Sequence, residues 1–196
     1  MKETLILFDG SRKLHKDVPM AAIEEIARLR PLDVEYCECP GLIDNFSAQA
    51  LDKTRNQVNT RQFLEKINDT EIMQHYAEAG KLIIVDHDLF SEGMNWGFGV
   101  SVGDSRGLGY VLLSTARVQS IPQAKDIVSH ELGHMFGAPS KPRTNTTENL
   151  GIHCINDLCV MQQKAGLFDA IKYAKQRAGA KTYCEQCEQD IRGFRK

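Results

Sequence analysis

The chain has 196 residues, of which 42% are apolar, and a formal net charge of −2 from 24 Lys and Arg against 26 Asp and Glu. This length fits one domain with a sizeable core and excludes a second large catalytic unit. The near-neutral charge excludes proteins that bind nucleic acid or anionic membranes through charge alone. The apolar run at residues 5–8 is too short for a secretory signal, and no run approaches the length of a membrane span. We therefore expect a cytoplasmic monomer with no membrane and no nucleic-acid partner.

Apolar periodicity predicts an alternation of strands and helices. The predicted strands are residues 4–8, 33–37 and 81–85, and the predicted helices are residues 19–30, 60–80 with a break near 68–69, 121–137 and 166–177. Short edge strands are expected near 96–102 and 108–113, joined by a turn at Gly103-Asp104. Residues 39–60 lack a period and are expected to be irregular. This order predicts one α/β domain over residues 1–196, with the sheet and the long helix within 1–137 and the rest within 138–196.

The segment His130-Glu131-Leu132-Gly133-His134 is an HExxH sequence inside the predicted helix 121–137. Residues four apart lie on one helix face, so both imidazoles can bind one Zn²⁺. Zinc lowers the pKa of a bound water, and Glu131 can accept the proton as that water attacks a carbonyl. The simpler interpretation is a pair of surface histidines with an ordinary Glu. Gly137 favours the metal site, because a glycine lets the chain turn sharply toward a third ligand.

The third ligand of the histidine pair has two interpretations. The metzincin pattern HExxHxxGxxH would place a His at position 140, where this chain has Ser140. His153 is the next candidate, and it implies an insertion of 13 residues (153 − 140) in a polar stretch expected at the surface. Alternatively, His153 joins the neighbouring cysteines and leaves the HExxH metal without a third protein ligand.

The six cysteines are expected to be thiols or metal ligands, because cytosolic thiols stay reduced. Four of them form two pairs, Cys154-x4-Cys159 and Cys184-x2-Cys187. Four thiolates in such pairs suit a closed tetrahedral Zn²⁺ that contributes folding energy. Four unrelated buried thiols are the alternative. Cys37 and Cys39 are too closely spaced to complete a site and are expected to be structural.

These motifs resemble the archaemetzincin signature with a lengthened loop. The resemblance is carried by the HExxH segment with Gly137, by His153-Cys154-x4-Cys159-x-Met161 and by the final cysteine pair. It extends upstream through Thr54-Arg55-x-Gln57, Phe63-Leu64, residues 83–90 and Asn95-Trp96-Gly97-Phe98-Gly99. The similarity therefore runs from Thr54 to Cys187.

The resemblance implies a zincin-like α/β (α+β) fold, with a twisted mixed β-sheet, an active-site helix, a Met-turn at Met161 and a carboxyl-terminal region held by zinc. It implies a zinc metallopeptidase that hydrolyses bonds in peptide or protein substrates, with Glu131 as general base. Two zinc ions are implied: a catalytic ion bound by His130, His134 and His153, and a structural ion bound by Cys154, Cys159, Cys184 and Cys187. Tyr110 and Trp96 are candidates for the substrate cleft, although core packing is favoured for Trp96.

Two other functions are compatible with the sequence. The chain could be a zinc-stabilised binding module with an idle HExxH, or a zincin scaffold whose insert prevents turnover while it binds peptide. Zinc ribbons often face nucleic acid, and the basic tail residues favour that alternative: Lys172, Lys175, Arg177, Lys181, Arg192 and Arg195. The slightly acidic overall charge opposes it.

Overall fold

The computed structural model describes residues 3–103, 108–141, 143–148, 151–163, 166–177 and 179–195. Its helices are α1 (Asp17–Leu29), α2 (Pro40–Gln49), α3 (Thr60–Asn68), α4 (Glu71–His75), α5 (Ile121–Met135), α6 (Leu167–Gln176) and α7 (Glu185–Gly193). Its strands are β1 (Glu3–Asp9), β2 (Leu32–Glu38), β3 (Leu51–Asp52), β4 (Gln57–Asn59), β5 (Gly80–Val85), β6 (Leu89–Ser91), β7 (Met94–Gly97), β8 (Gly99–Val102), β9 (Tyr110–Ser114), β10 (Thr146–Glu148) and β11 (Ile152–Cys154).

Contacts group the chain into two compact units. The first comprises Met1–Lys16 with Leu32–Arg117, and the second comprises Asp17–Pro31 with Val118–Lys196. This grouping does not test whether residues 1–196 form a single domain, which stays a prediction. Within the described ranges, we find no helix with the length and apolar character needed to cross a membrane.

The first unit is built on a five-stranded sheet with the order β2-β1-β5-β9-β8. β1 is parallel to β2 and β5, and β5 is parallel to β9, whereas the edge strand β8 runs antiparallel to β9. All six residues of β5 are buried, as its apolar run predicts. The predicted mixed sheet is confirmed.

One apolar core fills the first unit. Alternate residues on three neighbouring strands contribute to it, namely Ile6, Phe8, Ile83, Val85, Tyr110 and Leu112. Successive side chains of a strand point to opposite faces, so these residues share one face of the sheet. Phe63 and Ile67, four residues apart on α3, pack in the same cluster.

The stretch 39–60 is rich in regular structure, so the prediction of an irregular segment was wrong. α2 begins at Pro40, whose fixed φ suits the first turn of a helix, and buries Ile43 and Ser47. β3 and β4 join a second sheet of order β3-β4-β6-β7, in which β4 and β6 are parallel. Strands of two and three residues are too short to show a period in the sequence.

Strand β9 corrects the prediction that both glycine-rich strands lie at sheet edges. β8 is an edge strand, but β9 lies between β5 and β8. All five β9 residues are buried, because a strand with neighbours on both sides is covered more fully than an edge strand. The predicted turn at Gly103-Asp104 extends to Asp104, which lies outside the described residues.

The predicted helix break near residues 68–69 is confirmed by two caps. The Asn59 side chain accepts a hydrogen bond from the Gln62 N–H at 3.1 Å, and α3 ends at Asn68. The Thr70 hydroxyl then accepts from the Met73 N–H at 3.4 Å and begins α4. The second cap starts a new helix, because it satisfies a donor that a continuous helix would pair internally.

The second unit contains α1, α5, α6, α7 and the hairpin β10–β11. α5 packs against α1 and α6. It buries apolar residues at helical spacing: Ala124, Ile127, Val128, Leu132 and Met135. Lys125 forms an ion pair with Glu25 of α1, and Asp126 forms one with Arg177, the residue that caps α6. These contacts hold α5 against both neighbouring helices.

Candidate active site and metal centre

Helix α5 presents two histidines as the HExxH spacing predicted. The Nε2 atoms of His130 and His134 lie 3.2 Å apart. Two nitrogens bound to a tetrahedral zinc at about 2.0–2.1 Å are about 3.4 Å apart, so this separation suits one shared ion. Both residues are half-buried.

His153 reaches the same place from the hairpin. β10 and β11 pair antiparallel, with Thr147 opposite His153. The His153 ring stacks on that of His130, with centroids 5.2 Å apart, and lies edge-on to that of His134 at 5.0 Å. One ligand atom from each of the three residues falls within 4.8 Å of the others. We call this group the histidine cluster.

Backbone groups hold the other side of each ring. Nδ1 of His130 lies 2.7 Å from the Val160 carbonyl oxygen, and Nδ1 of His153 lies 3.2 Å from that of Gly151. The ring of His134 hydrogen-bonds the backbone of Ala138. A ring that donates from Nδ1 keeps its Nε2 lone pair free for a metal.

The electrostatics of the histidine cluster favour metal binding and proton transfer. Burial and the nearby His153 lower the pKa of His134 to about 4, so this ring is neutral at pH 7, as a ligand must be. Burial raises the pKa of Glu131 to about 7. Glu131 is 9% exposed and follows His130 in α5.

Met161 lies fully buried against the histidine-bearing helix. A Cβ placed on Gly133 would come within 2.2 Å of the Met161 Sδ, so any larger residue here would force Met161 to move. The Met161 carbonyl accepts a hydrogen bond from the Cys154 N–H at 2.9 Å. Met161 therefore contacts both α5 and the end of β11, and the Met-turn stays a prediction.

The four cysteines of the carboxyl-terminal region also come together, and we call them the cysteine cluster. The Sγ atoms of Cys154 and Cys184 are 3.8 Å apart, and those of Cys159 and Cys187 are 3.6 Å apart. Sulfurs about 2.3 Å from a tetrahedral zinc are about 3.8 Å apart, so these thiols fit that ion. His153 lies in the histidine cluster rather than in this group.

Local structure supplies hydrogen-bond donors and a helix amino terminus to the cysteine cluster. Cys184 caps the amino terminus of α7 and Cys187 lies in its first turn, where the helix dipole stabilises negative charge. Backbone N–H groups of Asn156 and Cys184 donate to the sulfurs of Cys154 and Cys159, each at 3.4 Å. The hydrogen bond with Cys187 and the backbone N–H groups of Cys184 and Met161 lower the pKa of Cys159 to about 5. Burial raises the pKa of Cys154 to about 11, and the hydrogen bond with Cys159 raises the pKa of Cys187.

The remaining candidates lie in the first unit. Cys37 in β2 and Cys39 just after it are half-buried against the core of this unit, and their structural role stays a prediction. Tyr110 is 8% exposed, and its hydroxyl donates to Asn68 while Lys81 Nζ lies 4.9 Å from its ring centroid. Tyr110 is therefore a core residue of this unit. The side chain of Trp96 lies outside the described residues.

In the first unit, polar side chains from the upstream segments that carry the family resemblance hydrogen-bond to one another. Gln57 Nε2 donates to Asp88 Oδ2 and to the Asn95 carbonyl, both at 2.9 Å. Arg117 donates to both carboxylate oxygens of Asp88, at 2.9 Å and 2.6 Å. Arg55 Nη2 donates to Asn95 Oδ1 at 3.1 Å. Because hydrogen bonds to charged groups are the stronger ones, this network ties β4, β6 and β7 together.

Comparisons with known proteins agree with this geometry. No family model matches the chain. A curated archaemetzincin from Nanoarchaeum equitans is 28% identical over 131 residues, which is 67% of this chain, and the match spans 63% of that relative's length. The resemblance to the archaemetzincins is therefore confirmed.

The archaemetzincin-like fold extends over nearly the whole chain. A crystal structure of archaemetzincin from Methanopyrus kandleri has a TM-score of 0.64 at 18% identity, covering 97% of this chain and 93% of that one. Archaemetzincin from Archaeoglobus fulgidus complexed with malonate has a TM-score of 0.63 at 17% identity, with coverages of 95% and 99%. A zinc-dependent peptidase from Methanocorpusculum labreanum has a TM-score of 0.61 at 16% identity, with coverages of 96% and 99%. The predicted zincin-like fold is confirmed.

The insert of this archaemetzincin-like chain supplies contacts that the sequence did not reveal. It was expected to be a surface excursion, yet the Arg143 side chain is only 9% exposed and pairs with Asp190 of α7. Ser140, at the position of the metzincin histidine, donates from its N–H and hydroxyl to the same carboxylate, at 3.0 Å and 2.6 Å. In the sequence, the only indication of a buried contact was a single arginine in the polar insert.

Proposed function

We propose that this chain is a zinc metallopeptidase that hydrolyses peptide bonds in peptide or protein substrates. The convergence of His130, His134 and His153, two of them on the helix that also carries the buried Glu131, carries the proposal. Three protein ligands leave a fourth position for water, which is the arrangement of a catalytic zinc. The names of the relatives, archaemetzincin and zinc-dependent peptidase, support the same activity.

A zinc ion held by the histidine cluster would supply a water of lowered pKa and a positive charge that polarises the substrate carbonyl. Glu131 serves as the general base of the reaction. Its carboxylate takes up the proton of the attacking water and returns it to the leaving amine, and burial, which raises the pKa of this carboxyl, favours the uptake. The Val160 and Gly151 carbonyls orient His130 and His153 through their Nδ1 atoms.

We also propose a second, structural zinc in the cysteine cluster, which makes two ions per chain. The tetrahedral spacing of the sulfurs and the burial of Cys154, Cys159 and Cys187 support a closed site without an open position. This zinc would link β11 to α7. The cytoplasmic location and the monomeric state stay predictions from the sequence.

The alternative of a zinc-stabilised binding module with an idle HExxH is not favoured. An idle motif does not require a third histidine, yet His153 is 5% exposed and is turned into the histidine cluster. The cysteine pairs are also shared between a hairpin and a helix, unlike a compact zinc ribbon.

Zinc content per chain tests the proposal, measured on protein purified without chelator. We expect two zincs for the wild type and about one for His153→Ala, because the cysteine cluster keeps its ion. His75→Ala is the matched control, since this exposed histidine lies on α4 outside both clusters, and it should retain two. One zinc in all three proteins, or loss of both from His153→Ala alone, would contradict the separate assignment of His153.

A further inference from the structure

Arg143 enters the cysteine cluster from the insert. Its Nη1 lies 3.5 Å from the Cys187 Sγ, and its Nη2 lies 3.9 Å from the Cys154 Sγ. The guanidinium thus touches one sulfur from each of the two cysteine pairs. These pairs come from different elements, because Cys154 ends β11 and Cys187 lies in α7.

The remaining donors of this guanidinium are also occupied. Nη1 forms the ion pair with Asp190, Nε donates to the Asn145 side chain at 2.9 Å, and Nη2 donates to Gln186 Oε1 at 3.3 Å. The side chains of Arg143 and Asp190 are 9% and 12% exposed. A planar guanidinium with several fixed partners is held in one orientation, which a flexible lysine would not reproduce.

Charge explains why an arginine belongs at this position. Four thiolates around Zn²⁺ carry a net charge of −2, and burying that charge without compensation is unfavourable. The arginine supplies a permanent positive charge against the sulfurs. Its hydrogen bonds are charge-assisted, so they withdraw electron density from the sulfurs and stabilise them as thiolates.

The insert also ties the cysteine cluster to the hairpin that carries His153. Ser140 and Arg143 both bind Asp190, and β10 begins three residues after Arg143. The hairpin register places Thr146 opposite Cys154. One carboxylate on α7 therefore anchors the insert just before it turns toward both clusters.

We propose that Arg143 is an outer-shell residue of the cysteine cluster, which bridges Cys154 and Cys187 and thereby slows the release of the zinc held there. The inference rests on the proposed function, because it requires the structural zinc. It assigns the insert a specific task, which is to deliver a cation to this cluster.

Zinc release into a chromogenic chelator tests the role of Arg143 on the full-length chain. Loss of such a partner typically weakens metal affinity about 10- to 100-fold, and we expect Arg143→Gln to release one of the two zincs faster than the wild type by a similar factor. The release rate of Arg143→Lys should lie between those of the wild type and Arg143→Gln, since lysine keeps the positive charge but lacks the planar, multiply donating guanidinium. Arg61→Gln is the control, because Arg61 is exposed on α3 and pairs only locally with Glu65. Wild-type release rates in Arg143→Gln would overturn the proposal.

Cobalt substitution separates this role from general loosening of the fold. The sulfur-to-cobalt charge-transfer band should move to lower energy in Arg143→Gln, because sulfurs that lose a hydrogen bond donate more readily. Arg143→Lys should restore part of the shift. If Arg143→Gln does not fold, the same band in Arg143→Lys and Asp190→Asn decides, and an unshifted band in both would overturn the proposal.

The same spectrum distinguishes this inference from the proposed function. A wild-type protein that takes up cobalt without any thiolate band would refute the structural zinc itself. A wild-type band that Arg143→Gln leaves unchanged would refute only the role of Arg143.

Discussion

The histidine and cysteine clusters meet at consecutive residues, His153 and Cys154, yet they are built differently. The histidine cluster takes two members from one helix and leaves both rings half-buried. In the cysteine cluster three of four sulfurs belong to buried residues, and N–H donors and a guanidinium surround them. Partly exposed ligands suit a metal site that admits substrate and water, whereas buried ligands suit a structural ion.

The position of β11 adds an asymmetry between the two clusters. Successive side chains of a strand point to opposite faces, so one short strand supplies His153 to one cluster and Cys154 to the other. The members of the cysteine cluster come from the end of β11, from the chain after it and from the start of α7, whereas two of the three members of the histidine cluster already lie together on α5. Loss of the cysteine cluster should therefore disturb both sites, and loss of the histidine cluster only one.

The largest effect is expected from Cys187→Ser. Structural zinc contributes apparent binding energies of about 10–16 kcal/mol in small zinc-dependent peptides, which matches or exceeds the stability of a typical domain, about 5–15 kcal/mol. We expect the zinc content to fall from two toward zero and helical circular dichroism to decrease. Cys37→Ser, a cysteine outside both clusters, should keep both zincs. A Cys187→Ser protein with wild-type melting and one zinc would refute the asymmetry.

Glu131→Gln should affect the histidine cluster alone. Loss of the general base should lower kcat/KM for peptide cleavage by about 10²- to 10⁴-fold, equivalent to about 3–5 kcal/mol of transition-state stabilisation. Both zincs should remain, since Glu131 belongs to neither ligand set. Kinetics and zinc content are measured on the same preparation, with the exposed Glu65→Gln as control. Unchanged cleavage by a zinc-replete Glu131→Gln protein would refute the role of this carboxylate.

The sequence predicted that the members of each cluster lie together, because the spacing within each motif has a direct physical meaning. Residues 130 and 134 share a face in any helix, and cysteines two or four residues apart can bind one ion in any tight turn. The buried run of β5 and the helix around HExxH were also predicted, since their periods are long enough to read.

Other features depend on contacts between distant residues and could not be read from local pattern. The interior position of β9 is set by its pairing with both β5 and β8. The short strands near residues 51–59 gain their neighbours only in the folded sheet. Arg143 stands in a polar loop typical of a surface, and only the approach of α7 buries it.

Gly133→Ala should have an intermediate effect and tests the packing between the two clusters. A new Cβ would come 2.2 Å from the Met161 Sδ and 3.1 Å from the Tyr183 Cε1, so Met161 must move. Overpacking of this kind destabilises by about 1–3 kcal/mol, whereas Gly→Ala within a helix ordinarily stabilises by up to about 1 kcal/mol. Gly41→Ala in α2 is the control, because nothing lies within 4 Å of its added Cβ. Thermal melting should move in opposite directions for the two variants, and equal shifts would mean that Met161 adapts freely.

The smallest effect is expected from Lys141→Gln, which tests whether a surface pair also holds the insert. Lys141 Nζ lies 2.7 Å from Glu148 Oε1, but the two side chains are 66% and 68% exposed, unlike those of Arg143 and Asp190. Exposed pairs of this kind gain little attraction in water and lose side-chain freedom, so zinc release and thermal melting should match the wild type.

The hydrogen bond from Lys141 and its charge lower the pKa of Glu148, and Lys141→Gln should raise it toward the ordinary value, as a carboxyl titration by NMR can measure. The lowered pKa means that any stabilisation by this pair is present above the ordinary pKa of Glu and is lost as the pH falls through the shifted value. If Lys141→Gln accelerated zinc release as much as Arg143→Gln, the exposed ion pair would hold the insert as firmly as the buried one. The contacts of the Arg143 guanidinium with the sulfurs would then have no separate effect on zinc release.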